Sequence, residues 1–173
     1  MKNDSLVMDV FLQPGEYYFG DQETRIRTLL GSCVAITMWH PERRIGGMCH
    51  CLLPERAGPA QADGLDGRYV DEAIAWLLCE AVRDDSNPAD YHVKLFGGGN
   101  MFGKLGVTSN VQIGNKNAIT AQRILAGIGL SAKATDLGGQ VHRSLIFEVG
   151  TGDVWVKRGT NESDDCERAE LAA

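Results

Sequence analysis

The chain has 173 residues and a net charge of −6, which points to one domain with a core large enough to need no covalent staples. The acidic balance argues against nucleic acid as a partner, because phosphate recognition needs clustered Lys and Arg. No apolar run approaches the roughly 18 residues that span a bilayer and Met1–Ser5 lacks an apolar signal region, so the expectation is a cytoplasmic protein without membrane insertion.

Short runs rich in β-formers fill the first third. Leu6–Leu12 stops at Pro14-Gly15, and a second run at 16–19 ends in the Gly20-Asp21 turn. Ile26–Leu30 and Cys33–Trp39 are separated by Gly31-Ser32, and Ile45–Leu53 follows the turn at His40–Arg44. Such runs between turn residues fit strands of a packed sheet. Residues 55–68 read as a Gly/Pro/Ala-rich loop. From Tyr69 the period changes: Val70, Ala73, Ile74, Leu77, Leu78, Ala81 and Val82 share a helical face, with Asp71 and Glu72 favouring the positive helix end. Tyr91–Gly103 reads as a strand running into a glycine loop. A second amphipathic helix follows from Asn115, with Ile119, Ile124, Leu125 and Ile128 inward and Gly129 as its stop. Residues 130–139, 143–149 and 154–158 read as further strands. The charged tail 159–173 is expected to be disordered. Strands before and around two main helices predict a layered α/β sandwich with mixed or antiparallel sheets.

Three of the five cysteines and two of the four histidines lie between Thr28 and Pro54. Five is an odd count, so no disulfide framework is expected. A metal site is disfavoured: on a strand Cys49 and Cys51 face one way and His50 the other, and a second ligand pair at zinc spacing is missing. A nucleophile reading uses the same alternation, with Cys49 and Cys51 as small buried hydrophobes and His50 free for chemistry. Cys33, beside the Gly31-Ser32 turn, would then be the thiol, His50 its base, and Thr28 a hydroxyl able to orient the imidazole. Such a pair could become a thiolate–imidazolium. Plain packing of both residues competes with this, and spacing alone leaves the choice open. The FGGGN loop lacks the rest of a phosphate-binding pattern. Its glycines suit a close approach to a site, with Asn100 beside it as a substrate contact. His40 is expected in solvent, Cys79 in the core, and Trp39, Trp76 and Trp155 in packing.

The stretch LGSCVAITMWHPERRIGGMCHCLLP resembles the signature of the chemoreceptor glutamine deamidases, the CheD family. KLFGGGNMF, IGNKNA and TDLGGQVHRSLIFEVGTGDVWVKR resemble further motifs of that family, in order, over roughly residues 6–158. The resemblance implies an α/β sandwich and a single deamidase domain at 1–158. It implies hydrolysis of receptor glutamine side chains to glutamate and ammonia. It makes Cys33 the nucleophile, His50 the base and Thr28 the third member. Apart from the resemblance, backbone N–H groups around Ser32-Cys33 could donate to a tetrahedral oxyanion, which sets Ser32 beside Asn100 as a substrate-side residue. No cofactor and no metal are implied. The partners would be the cytoplasmic helices of chemoreceptors and, in some bacteria, a chemotaxis phosphatase. A regulatory module that binds such partners without turnover is the alternative. Cys49, Cys51 and His142 depart from the family pattern.

Overall fold

The computed structural model describes residues 7–58, 64–101 and 108–159, with backbone alone for 108–112. The tail expected to be disordered lies outside the described residues from 160 onward.

Among the described residues, nine strands form two sheets. The first holds β1 (Met8–Phe11), β3 (Thr24–Leu30), β8 (Arg143–Glu148) and β9 (Val154–Arg158), in the order β1-β3-β8-β9. The second holds β2 (Tyr17–Gly20), β4 (Val34–His40), β5 (Ile45–Cys51), β6 (His92–Gly97) and β7 (Ala132–Leu137), in the order β2-β5-β4-β6-β7. Both are mixed: β1 pairs parallel with β3, β6 parallel with β7, and the remaining pairs are antiparallel. Helices α1 (Val70–Arg83) and α2 (Thr108–Gly127) cover one face of the five-stranded sheet. The result is the expected α/β sandwich, in three layers.

Residue alternation explains the stacking. In β3, Thr24, Ile26, Thr28 and Leu30 are buried, while Arg25, Arg27 and Leu29 turn outward. This one-sided pattern fits a sheet with one wet face. Strands β4 and β5 are buried on both faces apart from isolated positions. Val34, Ile36, Met38, Cys49 and Cys51 pack against the helices. Ala35, Met48 and Phe96 pack against the other sheet with Ile26, Leu30, Leu145 and Phe147. Burying a side chain such as Leu77 or Ile74 of α1 contributes about 1.5–3 kcal/mol each, and these contacts, more than propensity, hold α1 on the sheet.

Several sequence expectations need correction. Helix α2 begins at Thr108, before Asn115. Ile119 is 54% exposed and Ile128 47%. The buried stripe of α2 is instead Gly114, Asn117, Ala118, Ala121 and Leu125. Small residues let the helix approach closely, and they set its rotation over the bulkier isoleucines. Val82 and Cys79 are exposed, because they lie off the stripe of α1 that meets the sheet. His40 ends β4 as a buried residue, its ring edge-on to Tyr91 at 5.1 Å. Trp155 lies on the open outer face of its sheet and is largely exposed. Trp39 and Trp76 do pack, through a Trp39 Nε1–H bond to the Val149 carbonyl and a stack of Trp76 on Tyr17.

The glycine loop after β6 braces the β3–β4 connection. Gly98 N–H donates to the Cys33 carbonyl at 2.8 Å, and Gly99 N–H to the Gly31 carbonyl at 3.0 Å. Gly97 has φ +105°, and a Cβ there would collide with the Cys33 carbonyl. Gly97→Ala is therefore expected to destabilise the fold by about 1–3 kcal/mol, from backbone strain before any clash is counted. Urea unfolding compared with wild type measures this.

Candidate active site

Strand β3 belongs to one sheet and β4 to the other, so the chain must cross between layers at Gly31-Ser32-Cys33. Cys33 lies in that crossing, one residue before the start of β4, and is half-buried. Ala35 faces His50 directly across β4–β5, and Val34 faces Cys51. Continuing this register puts Cys33 diagonal to His50 on the face that meets the other sheet, where such Cβ atoms lie roughly 7–8 Å apart or less. Cys33 packs with that inter-sheet cluster.

His50 is fully enclosed between the sheets. Its ring meets Thr28, which points inward from β3: Thr28 Oγ1 lies 2.7 Å from His50 Nδ1. The same hydroxyl donates to the Leu12 carbonyl at 2.9 Å. A hydroxyl has one proton, and a carbonyl can only accept. With that proton given to Leu12, the Thr28 oxygen accepts from the imidazole, so Nδ1 carries the ring hydrogen. His50 Nε2 is then a lone-pair nitrogen. It is buried and has no hydrogen-bond partner. The turn after β1 fixes the backbone around the ring: Gly15 N–H donates to the His50 carbonyl at 2.8 Å, and His50 N–H to the Glu16 carbonyl at 2.9 Å.

Electrostatics favour two neutral partners at rest. Burial pulls the His50 pKa down to about 4, against the opposing effects of the Leu12 carbonyl and the Glu16 charge. Burial pushes the Cys33 thiol up, partly offset by its own backbone N–H, which faces the sulfur. The resting pair is thus thiol and imidazole, in contrast to the thiolate–imidazolium that sequence reasoning allows.

Of the residues singled out from the sequence, Thr28 and His50 are in direct contact and Cys33 is their neighbour by register. Ser32 is half-buried in the same crossing. Asn100 follows the glycine loop, and its N–H donates to the Gly139 carbonyl at 2.7 Å. Cys49 and Cys51 face the helices, away from His50, with their sulfurs 3.6 Å apart. Among the described residues, no group of three or more His, Cys, Asp or Glu could hold a metal ion. No described helix is long and apolar enough to cross a membrane.

Sequence reasoning missed three supports. The Leu12 carbonyl is one, and no side-chain pattern reveals a backbone oxygen. The second is Asn117 of the quoted IGNKNA stretch, fully buried, whose Nδ2 donates to the Leu52 carbonyl at 2.9 Å just beyond β5. The third is Arg143, which bonds the Asp136 carboxylate at 3.0 Å and the Gly138 carbonyl at 2.7 Å, while Arg158 takes the second Asp136 oxygen at 3.0 Å. This trio holds residues 136–143 against the glycine loop, through Gly138 N–H to the Gly97 carbonyl at 2.8 Å. The charges in TDLGG and HRSL were visible, but their pairing across two strands was not.

Known proteins match this chain closely. The family described as "CheD chemotactic sensory transduction" matches residues 52–158. A "Probable chemoreceptor glutamine deamidase CheD" of Pseudomonas syringae pv. tomato is 46% identical over 151 residues, covering 87% of this chain and 89% of that one. The chain belongs to the CheD family. A CheD relative from Dechloromonas aromatica is 46% identical over 86% of each chain. One from Leptospira interrogans is 39% identical over 88% of this chain and 93% of its own.

The buried imidazole makes stability depend on pH. In the folded chain His50 binds its proton only near pH 4, whereas unfolded it does so near about 6.5. Between those values the unfolded state holds more protons, so stability rises with pH. The His50 contribution is expected to grow by about 3 kcal/mol from pH 4 to 6.5 and to stay flat above. Urea unfolding across that range, compared with His50→Gln, isolates it.

Proposed function

We propose that this chain hydrolyses the side-chain amides of specific glutamines on chemoreceptors, yielding glutamate and ammonia, with Cys33 as nucleophile, His50 as base and Thr28 as its orienter. The Thr28 hydroxyl held between Leu12 and the imidazole carries the proposal, because it leaves Nε2 as a base with nothing else to accept from. The CheD relatives are named as probable chemoreceptor glutamine deamidases, which agrees with that chemistry.

His50 Nε2 takes the Cys33 proton as the sulfur attacks the glutamine Cδ. The negative oxygen that forms is stabilised by backbone N–H groups of the Ser32-Cys33 crossing. Each such donor is worth roughly 10²–10³ in rate. The imidazolium then protonates the departing nitrogen and ammonia leaves, giving a thioester. Neutral His50 next takes a proton from water, which attacks the thioester. The thiolate leaves and is reprotonated, and the product side chain is glutamate. No cofactor enters any step.

Residues 1–158 serve as one deamidase domain in this reading, acting in the cytoplasm on receptor helices. A groove of about 670 Å³, with Val10, Phe11, Tyr17 and Leu65 in its walls, adjoins the Thr28–His50 side of the site through Leu12 and Glu16. Cys33 is not among its walls. Glu16, Arg56 and Asp66 also line the groove, so it offers both apolar and charged surface to a helical substrate. A chemotaxis phosphatase as a second partner rests on the family resemblance.

Incubation with a receptor cytoplasmic fragment is expected to add about 1 Da at each target glutamine, the mass difference between –NH2 and –OH. Cys33→Ala should abolish the shift. Thr28→Val should slow it about 10–100-fold, the cost of a misplaced catalytic group. Peptide mass spectrometry reads all three. Binding without any mass shift in the wild type would instead support the non-catalytic regulatory module.

A further inference from the structure

One charged residue beside the base has no part in the mechanism above. Glu16 ends the turn that leads into β2. Pro14 and Gly15 form its corner, with Gly15 at φ +89° and the Glu16 N–H donating to the Gln13 carbonyl at 3.0 Å. Proline followed by a glycine at positive φ is the type II pattern. The Gly15 N–H then donates to the His50 carbonyl at 2.8 Å, and the His50 N–H to the Glu16 carbonyl at 2.9 Å. Gly15 and Glu16 thus oppose His50 together, a glycine-led β-bulge of the kind that re-aims a side chain.

The bulge decides where the carboxylate lies. Tyr17, opposite Cys49, packs on the helix side of the sheet. Glu16, one residue earlier, turns to the inter-sheet side, which is the side of the His50 ring. Opposed side chains on one face have Cβ atoms roughly 5 Å apart. A backbone bond holds the carboxylate: Gln13 N–H donates to Glu16 Oε2 at 2.8 Å. The strand order β2-β5-β4 then sets carboxylate, imidazole and thiol in that sequence across three neighbouring strands. Thr28 from β3, Ala35 from β4 and the Leu12 carbonyl just after β1, which meet the ring or its hydroxyl partner, carry no charge. Arg56 and Asp66 line the same groove as Glu16 and are already engaged, Arg56 with Glu72 and Asp66 with Arg68. Burial pulls the His50 pKa down, and the Leu12 carbonyl and the Glu16 charge oppose that pull.

We infer that Glu16 is a positioning residue for the base: its carboxylate favours the imidazolium that forms when His50 accepts the Cys33 proton. This rests on the deamidase reading and adds the countercharge which that reading lacks. The resting imidazole is neutral, so the carboxylate acts once the proton has moved, when minus, plus and minus alternate along carboxylate, imidazolium and thiolate. The thiolate lies on the far side of the ring, so attraction to the ring outweighs repulsion of the sulfur. The bond from Gln13 N–H asks only for an oxygen acceptor, which a glutamine supplies equally. The negative charge is the part that the turn does not need.

The test is alkylation of Cys33 by iodoacetamide in the full chain at pH 7. The sulfur displaces iodide to give a thioether, and its proton passes to His50 Nε2. Exposed Cys79 is the internal reference, and peptide mass spectrometry reads both rates. Glu16→Gln keeps the shape and the acceptor for Gln13. It is expected to slow Cys33 about threefold at low salt and to leave Cys79 unchanged. Glu16 is exposed, so the slowing should fade toward none at about 1 M salt, where charges act over only ~3 Å. A displaced turn would slow the reaction at every salt concentration. In a His50→Gln background Glu16→Gln should no longer slow Cys33, because a carboxylate acting on the thiolate directly only opposes it. An unchanged or faster rate in Glu16→Gln, a slowing that persists at high salt, a slowing that survives without His50, or a Cys33 that the reagent does not reach would overturn the inference. The readout needs no turnover: the expected slowing in a chain that fails to deamidate receptor would overturn the proposed function and leave the Glu16 role standing, and deamidation with alkylation unaltered in Glu16→Gln would do the reverse.

Discussion

The Thr28 hydroxyl between the Leu12 carbonyl and the His50 ring is the contact on which the site depends. It joins three pieces of chain that no local rule brings together: the end of β1, the middle of β3 and the end of β5. It is buried between two sheets, so water does not compete for its hydrogen bonds. A single shared proton decides which imidazole nitrogen keeps its lone pair free. The inter-sheet cluster of Ile26, Leu30, Phe96, Leu145 and Phe147 fixes the separation of the sheets and hence that contact. Packing there sets the geometry of the Thr28–His50 contact.

Support for the thiol is built differently. Cys33 lies in the crossing from one sheet to the other, where the backbone is not held by ladder bonds on both sides. Glycines compensate. Gly98 and Gly99 donate to that crossing, and Gly114 of α2 sits so close to the Gly98 carbonyl that a Cβ would come within 2.8 Å. The buried Asp136 carboxylate, shared by Arg143 and Arg158, anchors the next layer. Charge buried this deeply is a poor source of net stability. Here it aims carbonyls and amides at the glycine loop.

Much of this architecture is legible in the sequence, and the reasons are local. Strands such as β3 show their alternation, and α1 shows its stripe from Val70 to Ala81 with acids at its start. Cys33, His50 and Thr28 stand out because their residue types are chemically loaded and their motif resembles a known family. Phase and partnership are less legible. Ile119 and Ile128 looked like the core of α2, but small residues set that helix's rotation. His40 looked like a turn residue, yet Tyr91 buries it from 51 positions away. The protonation state was legible least of all: histidine beside cysteine suggests an ion pair, and only the enclosure of His50 shows that the neutral form rests there.

The tautomer of His50 is the most direct test of this account. Long-range proton–nitrogen NMR of the 15N-histidine-labelled protein at pH 7, with His50→Gln used to assign the signal, distinguishes a protonated from an unprotonated ring nitrogen. The account predicts a neutral imidazole with its hydrogen on Nδ1 and a lone pair on Nε2. A hydrogen on Nε2, or a doubly protonated ring at that pH, would contradict it, because the base would then have no site for the Cys33 proton.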